Sequence, residues 1–427
     1  MPMRRNDIPT PVDAAVSARG QPALPDLLLA FSVAAVVLAL RAPDALTLPQ
    51  FWAEDGAKFF VQQYGHALPP LFQPVAGYLH ATARLVAWFA SLFPSVHAPL
   101  IYNLATIAVG AAAVAALRRL PMTPAAFWAV LAALALTPTN VEVFGTLTNA
   151  QWVLQLYLLL PMARFVTGEP AKNPWAACLL AAFVGLSGPF SLFAVAGALA
   201  GRGYLAVATR RLASLREMTR HHPEMVVLAA CALIQLGFTL LTPDTHGARA
   251  KLLPGWFAIR DVLAASQTHT LGYAALPHAL FCLLTVAALA GAWYGAATAP
   301  QRAVVVAVAC FVAIQLWTVA GKHAALPGPI LELRYGDRYF VLFKITFWTV
   351  LVLALRALLG RQRKLALPLI LLLLGGFAVV NSDNLRRTPL ADLDWREHAL
   401  RMDRGEAVEA PINPGGGWKV AVPARTP

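Results

Sequence analysis

ATARLVAWFASLFP, residues 81–94, decides how this chain threads a membrane. The segment is apolar, but it falls short of the roughly 20 residues that a helical crossing needs. We expect an interfacial or partly inserted helix here rather than a span. In that case the next apolar run, Leu100–Leu117, ends with Arg118 and Arg119 on the cytoplasmic side, where short loops collect Lys and Arg. A crossing at 81–94 would put that pair on the wrong side and reverse every later loop.

The rest of the chain agrees with a membrane setting. It has 427 residues, of which 58% are hydrophobic and 13% charged, with a mean hydropathy of +0.60. Soluble domains carry about a quarter charged residues, so a soluble fold is excluded. The expected class is an all-α polytopic membrane protein, because helices satisfy their own backbone groups in lipid. The formal net charge of +13 does not imply nucleic acid. Much of it sits in short loops between apolar runs, where it also suits anionic membrane lipids. Cys178, Cys231, Cys282 and Cys310 lie within apolar runs at no metal-ligand spacing, and read as small buried hydrophobes.

Working outward from residue 81, about eleven spans emerge. Residues 1–22 form a polar, disordered cytoplasmic tail, and Leu24–Leu40 is a signal anchor running outward. Later spans are Leu100–Leu117, Ala125–Leu136, Trp152–Phe165, Trp175–Gly185 and Phe190–Val207. They continue as Val226–Leu241, Leu276–Ala296, Ala303–Ala320, Tyr339–Leu355 and Leu365–Val380. The basic loops Arg210–His222 and Arg356–Lys364 then fall inside. The organisation is a tail (1–22), a membrane domain (23–381) with a first outer loop (42–97), and a short periplasmic tail (382–427). In that last part Asp392–Met402 reads as an amphipathic helix, followed by two β-like runs about a Pro-Gly turn, docked on the outer loops.

The outer loop holds the densest chemistry, FWAEDGAKFFVQQYGHALPPLFQPVAGYLH (residues 51–80). Glu54 or Asp55 could take a proton from a hydroxyl or hold a divalent cation. Asp55 is favoured, because Gly56 gives its backbone room. The alternative is that either caps the following helix. Lys58 could bind phosphate or simply pair with Glu54 one turn away. Tyr78, His80 and Arg84 stand at the start of the interfacial helix, with binding and structural roles both open. In TNAQW (148–152), Asn149 and Gln151 could hydrogen-bond a sugar or cap a helix.

A second cluster holds Glu332, Arg334, Tyr335, Asp337, Arg338 and Tyr339, which Lys322 and His323 could join. Outward-facing arginines run against the charge bias, and a phosphate would explain them. A salt-bridge set with Glu332 and Asp337 would also do so. His246 and His269 read as structural.

AEDG (53–56), PVAGYLH (74–80), TNAQW, GLSGPF (185–190) and RYGDRYF (334–340) together resemble bacterial integral-membrane glycosyltransferases of the GT-C superfamily. The resemblance covers most of the chain as architecture, through short motifs. It implies a polyprenyl-phosphate-linked sugar donor and inverting transfer on the periplasmic face of the inner membrane. It implies Asp55, or Glu54, as the general base. Beyond what the family motifs dictate, we expect Arg334, Arg338 and Lys58 to contact the donor phosphate, and His80, Arg84, Tyr78, Asn149, Gln151 and Tyr335 to contact substrate. The chain lacks a large soluble C-terminal domain, so a glycan or lipid-linked acceptor fits better than a protein. The motifs point to no definite cofactor, and a divalent cation is compatible but not indicated. Competing readings are a flippase or permease for a lipid-linked saccharide, and an O-antigen-type polymerase or ligase.

Overall fold

The computed structural model describes residues 22–120, 122–210, 220–242, 251–274, 276–325, 327–333, 336–358 and 363–424. The expected N-terminal tail, most of the Arg210–His222 loop and part of the Arg356–Lys364 loop lie outside them. So do Arg334 and Tyr335.

The described chain is nearly all helix. In order it contains α1 (Leu24–Arg41), α2 (Ala81–Ala90), α3 (Ala98–Ala116), α4 (Pro124–Leu136), α5 (Leu159–Thr167) and α6 (Pro174–Gly185). Then come α7 (Phe190–Thr209), α8 (Pro223–Leu241), α9 (Trp256–Leu271), α10 (His278–Gly295) and α11 (Ala299–Ala325). The chain closes with α12 (Val341–Leu358), α13 (Arg363–Val380), α14 (Trp395–Asp403) and a hairpin of β1 (Val408–Pro411) and β2 (Lys419–Val422). Among the described residues, seven helices are long and apolar enough to cross a membrane, and α4, α6 and residues 368–380 are shorter apolar helices. Helix α2 has 10 residues, about 15 Å at 1.5 Å per residue. That is half the roughly 30 Å of a bilayer core.

Local signals set the helix ends. Thr123 and Asn173 cap α4 and α6 through side-chain oxygens that accept from Ala126 N and Ala176 N. Each is followed by Pro at the first turn, where a missing N–H costs nothing. Helix α5 stops at Gly168 in the left-handed region, φ 82°, the usual C-terminal device.

Packing follows small residues. Helix α7 carries Gly197 and Gly201 one turn apart. A Cβ at either would sit 2.6 Å from a carbonyl of α11, Ala307 O or Ala303 O. The two backbones therefore touch where apolar burial alone supplies little drive between helices in lipid. Around this pair the main core gathers Phe193, Phe311, Met162 and Val166.

One end of the bundle bears a second, separate core. Phe51, Phe59, Phe60, Tyr102, Trp395, Ile412 and Val420 share it, with Phe51 and Trp395 edge-to-face at 4.6 Å. Burying such a side chain contributes about 1.5–3 kcal/mol. The C-terminal segment thus packs on residues 51–60. β1 and β2 pair antiparallel, Val408 against Val422.

A buried ion pair ties the same segment to the short turn just after α1. Arg387 donates Nε and Nη2 to the two oxygens of Asp44 at 2.9 and 2.5 Å. Its Nη1 donates to Phe144 O and Gly145 O. All three nitrogens donate, which lets a guanidinium stay buried.

Candidate functional site

Residues 51–60 enter the site under backbone constraint. Ala53 has φ 30°, a left-handed conformation that costs a non-glycine residue of order 1 kcal/mol. It is held there by the C-terminal hairpin loop, since Ala53 N donates to Asn413 O at 2.6 Å. Gly56 allows this closeness: a Cβ there would lie 2.8 Å from Ile412 and 2.9 Å from Val420. Directly after Ala53 the chain forms one π-helical stretch, Asp55–Phe60, a wide turn that occurs often at functional sites.

The two carboxylates face apart. Asp55 is 2% exposed, and its oxygens accept from Leu147 N at 2.9 Å and Thr148 N at 2.6 Å. Burial pushes its carboxyl up to about 7, against the pull of these two N–H groups. Glu54 instead lines a cavity of about 280 Å³. Its carboxylate has no hydrogen bond or ion pair among the described residues. Of the pair, Asp55 braces the Leu147–Thr148 backbone, and Glu54 meets the cavity.

The same cavity is lined by Tyr78, His80, Asn149, Gln151, Arg338, Lys322 and Tyr339. All seven stood among the residues singled out from the sequence. Tyr78 and His80 stack at 4.6 Å, and Tyr78 Oη accepts from Gln151 Nε2 at 3.3 Å. Burial pushes the Tyr78 phenol up to about 12, so it stays protonated. Burial holds His80 down at about 3, so the ring is neutral at physiological pH and points one nitrogen at Val75 O, 3.2 Å away. Asn149 donates to Glu142 O at 2.9 Å.

Two cations converge on Tyr339 in the same cavity. Lys322 Nζ donates to Tyr339 Oη at 2.7 Å, and Arg338 Nη2 donates to the same oxygen at 3.3 Å. Arg338 also pairs with Glu142. The expected partners Glu332 and Asp337 are not its partners. Asp337 is buried with Lys344 and His269, at 2.5 and 3.1 Å, which makes His269 structural as expected. One carboxylate, Glu142, thus serves the Arg338 and Lys322 pair, and the wall keeps a positive excess beside a phenol oxygen.

Two candidates sit elsewhere. Lys58 is exposed and makes no ion pair with Glu54 among the described residues. Arg84 lies behind the cavity, fully buried, its guanidinium 5.0 Å over the Phe59 ring and one nitrogen donating to Gln73 O at 3.0 Å. Burial lowers it to about 10, which leaves it charged. Arg334 and Tyr335 fall outside the described residues.

The cavity has polar atoms without partners. Gln151 Oε1, Gln315 Oε1 and Trp152 Nε1 are buried and unbonded among the described residues. All three residues line the cavity and are more than nine-tenths buried. Buried polar groups left unpaired cost about 1–3 kcal/mol each, so three around one cavity point to a ligand or ordered water that completes them. The sequence reading passed over Gln315 and Thr318. The signal was a polar pair inside the otherwise apolar run Ala303–Ala320, since intramembrane polar residues usually line a working site. Among the described residues no group of three or more His, Cys, Asp or Glu is arranged to hold a metal ion. The cavity wall offers a single carboxylate, a poor set for a hard cation.

Comparison with family models, curated proteins and solved structures finds no match.

Proposed function

We propose that this protein is a membrane glycosyltransferase that moves a sugar from a polyprenyl-phosphate donor to a glycan or lipid-linked acceptor. One observation carries the reading: an unpaired carboxylate, Glu54, and two cations, Arg338 and Lys322, line one aromatic cavity with three unsatisfied polar atoms. A donor of this class has an anionic phosphate, hydroxyl groups and an apolar tail, and the cavity has a counterpart for each.

In this reading eleven segments cross the bilayer: the seven long helices, the three shorter apolar ones and the helical run 150–167. The N-terminus is cytoplasmic, and Glu54 faces the periplasm of a bacterial inner membrane. Arg118 and Arg119 at the far end of α3 support that orientation.

The chemistry follows from charge. The acceptor hydroxyl oxygen attacks the anomeric carbon on the face opposite the phosphate, and its proton passes to Glu54. The bond from the anomeric carbon to the phosphate oxygen breaks, and its electrons leave with polyprenyl phosphate. Arg338 and Lys322 stabilise that anion as it forms. Inversion results. Gln151, Gln315, Asn149 and Trp152 orient the sugar hydroxyls, and Tyr78 with neutral His80 forms a flat wall for a ring.

The test is purified protein in lipid, supplied with a panel of polyprenyl-phosphate sugars and a glycan acceptor. Release of polyprenyl phosphate coupled to acceptor extension is expected. Absence of release from every donor, with passage of a labelled lipid-linked saccharide across the bilayer, would replace the enzyme with a flippase.

A further inference from the structure

A second cavity lies at the other end of the helical run that starts at Glu54. It measures about 350 Å³, and Phe60, Gln63, Tyr64, Ser91, Phe93 and Asp403 line it. Three separate pieces build it: the run 60–67, the end of α2, and the last residue of α14. All three belong to the second core, away from the bundle interior.

The donors and acceptors of this cavity are uneven. Gln63 is 1% exposed. Its Nε2 donates to His66 O at 2.7 Å, while its Oε1 is buried without a partner. Asp403 accepts from Ser95 N at 3.2 and 3.1 Å, one contact to each oxygen, and each oxygen keeps a free lone pair. Tyr64 Oη donates to Met402 O at 3.0 Å. Gln63 Oε1 and Asp403 therefore offer acceptors, and the exposed His66 ring on the same lining offers a donor beside them, so a ligand whose hydroxyls both donate and accept fits. No Lys or Arg is among the lining residues, so a phosphate has no counter-charge here. The aromatic faces of Phe60, Tyr64 and Phe93 suit a flat apolar surface. A sugar ring combines hydroxyl donors at its edge with such a face. The volume lies at the small end of the roughly 300–1,000 Å³ of ligand pockets, enough for one or two rings.

We infer that this cavity binds a sugar residue of a glycan several units long, at a distance from the reacting hydroxyl. The inference rests on the glycosyltransferase reading and narrows its acceptor to an extended saccharide. Phe60 and Gln63 follow Glu54 along one continuous helical run, which sets the two cavities on the order of 10 Å apart. A short oligosaccharide bridges that gap. The C-terminal helix, through Asp403, then shares in acceptor binding as well as bracing residues 51–60.

The experiment measures binding without turnover. Full-length protein in nanodiscs, with no donor present, is titrated with linear trisaccharides of glucose, mannose, xylose and arabinose by saturation-transfer NMR. Gln63→Leu removes the orphan acceptor at nearly constant volume, and Ser91→Trp fills the mouth from an exposed position. At least one trisaccharide should bind, and each variant should weaken it about fivefold or more. Should Gln63→Leu fail to fold, Ser91→Trp alone decides. No binding by any trisaccharide, or unchanged affinity in Ser91→Trp, overturns the inference. Since no transfer is measured, binding can be upheld while the enzymatic reading fails, and lost while turnover of a short acceptor persists.

Discussion

Asp55→Asn separates a bracing role from a chemical one, and its effect should depend on pH. The native carboxyl receives one backbone N–H on each oxygen, from Leu147 and Thr148. An amide has one oxygen, so one of those donors must face an NH₂ group. A buried donor left unpaired costs about 1–3 kcal/mol. The native group also titrates. Its carboxyl is raised by burial from 3.8 to about 7, so the folded state holds a proton more tightly than the unfolded chain does. That stability is fully present below about 4 and is lost as pH rises through 7. At about 1.4 kcal/mol per pH unit, the range from 3.8 to about 7 amounts to about 4 kcal/mol. Asparagine does not titrate. The variant should therefore be less stable than the native protein by about 1–3 kcal/mol near pH 4.5, and the gap should close or reverse by pH 8. The assay is thermal unfolding of purified protein in detergent at both pH values. A penalty equal at the two pH values, or none at pH 4.5, would refute the buried, doubly bonded carboxyl.

Other outcomes follow from the same structure. His80 is held at about 3 by burial, so its contribution is present above 6.5 and is lost as pH falls from 6.5 toward 3. His80→Asn should remove that acid-side loss, seen as a shallower fall in melting temperature between pH 7 and 4. Arg387→Met strands the Asp44 carboxylate in a buried site and should cost about 3–5 kcal/mol, with faster proteolysis of residues after 381. Gly197→Ala drives a Cβ against Ala307 O and should lower the yield of folded protein. Gly203→Ala, on the same helix with no neighbour within 4 Å, should be neutral or stabilising by a few tenths of a kcal/mol.

Much of the fold was written in the apolar runs. Leu24–Leu40, Phe190–Val207 and Leu276–Ala296 became α1, α7 and α10 to within two residues at each end, because length and hydropathy suffice to specify a helix in lipid. The short run Ala81–Pro94 stayed a ten-residue helix for the same reason. The alternating pattern after Glu406 became the hairpin. The site was half legible. Tyr78, His80, Asn149, Gln151 and Arg338 met at one cavity, since costly polar residues beside apolar runs mark a shared wet space.

The orientation of the acidic pair was not legible. Neighbouring residues on a helix point about 100° apart, and the π-helical register of Asp55–Phe60 shifts which one faces the cavity. Nor could spacing reveal that Arg387 reaches back to Asp44, or that Asp337 bonds Lys344 and His269. Those pairings join segments set far apart in the chain, and only the packed bundle brings them together.

The account turns on which carboxylate takes the proton. Turnover of Glu54→Gln and Asp55→Asn should be measured side by side, at a temperature where both are folded. Loss of about 10²–10⁴ in rate for Glu54→Gln, with Asp55→Asn within tenfold of the native protein, is the predicted result. A native rate in Glu54→Gln would contradict it.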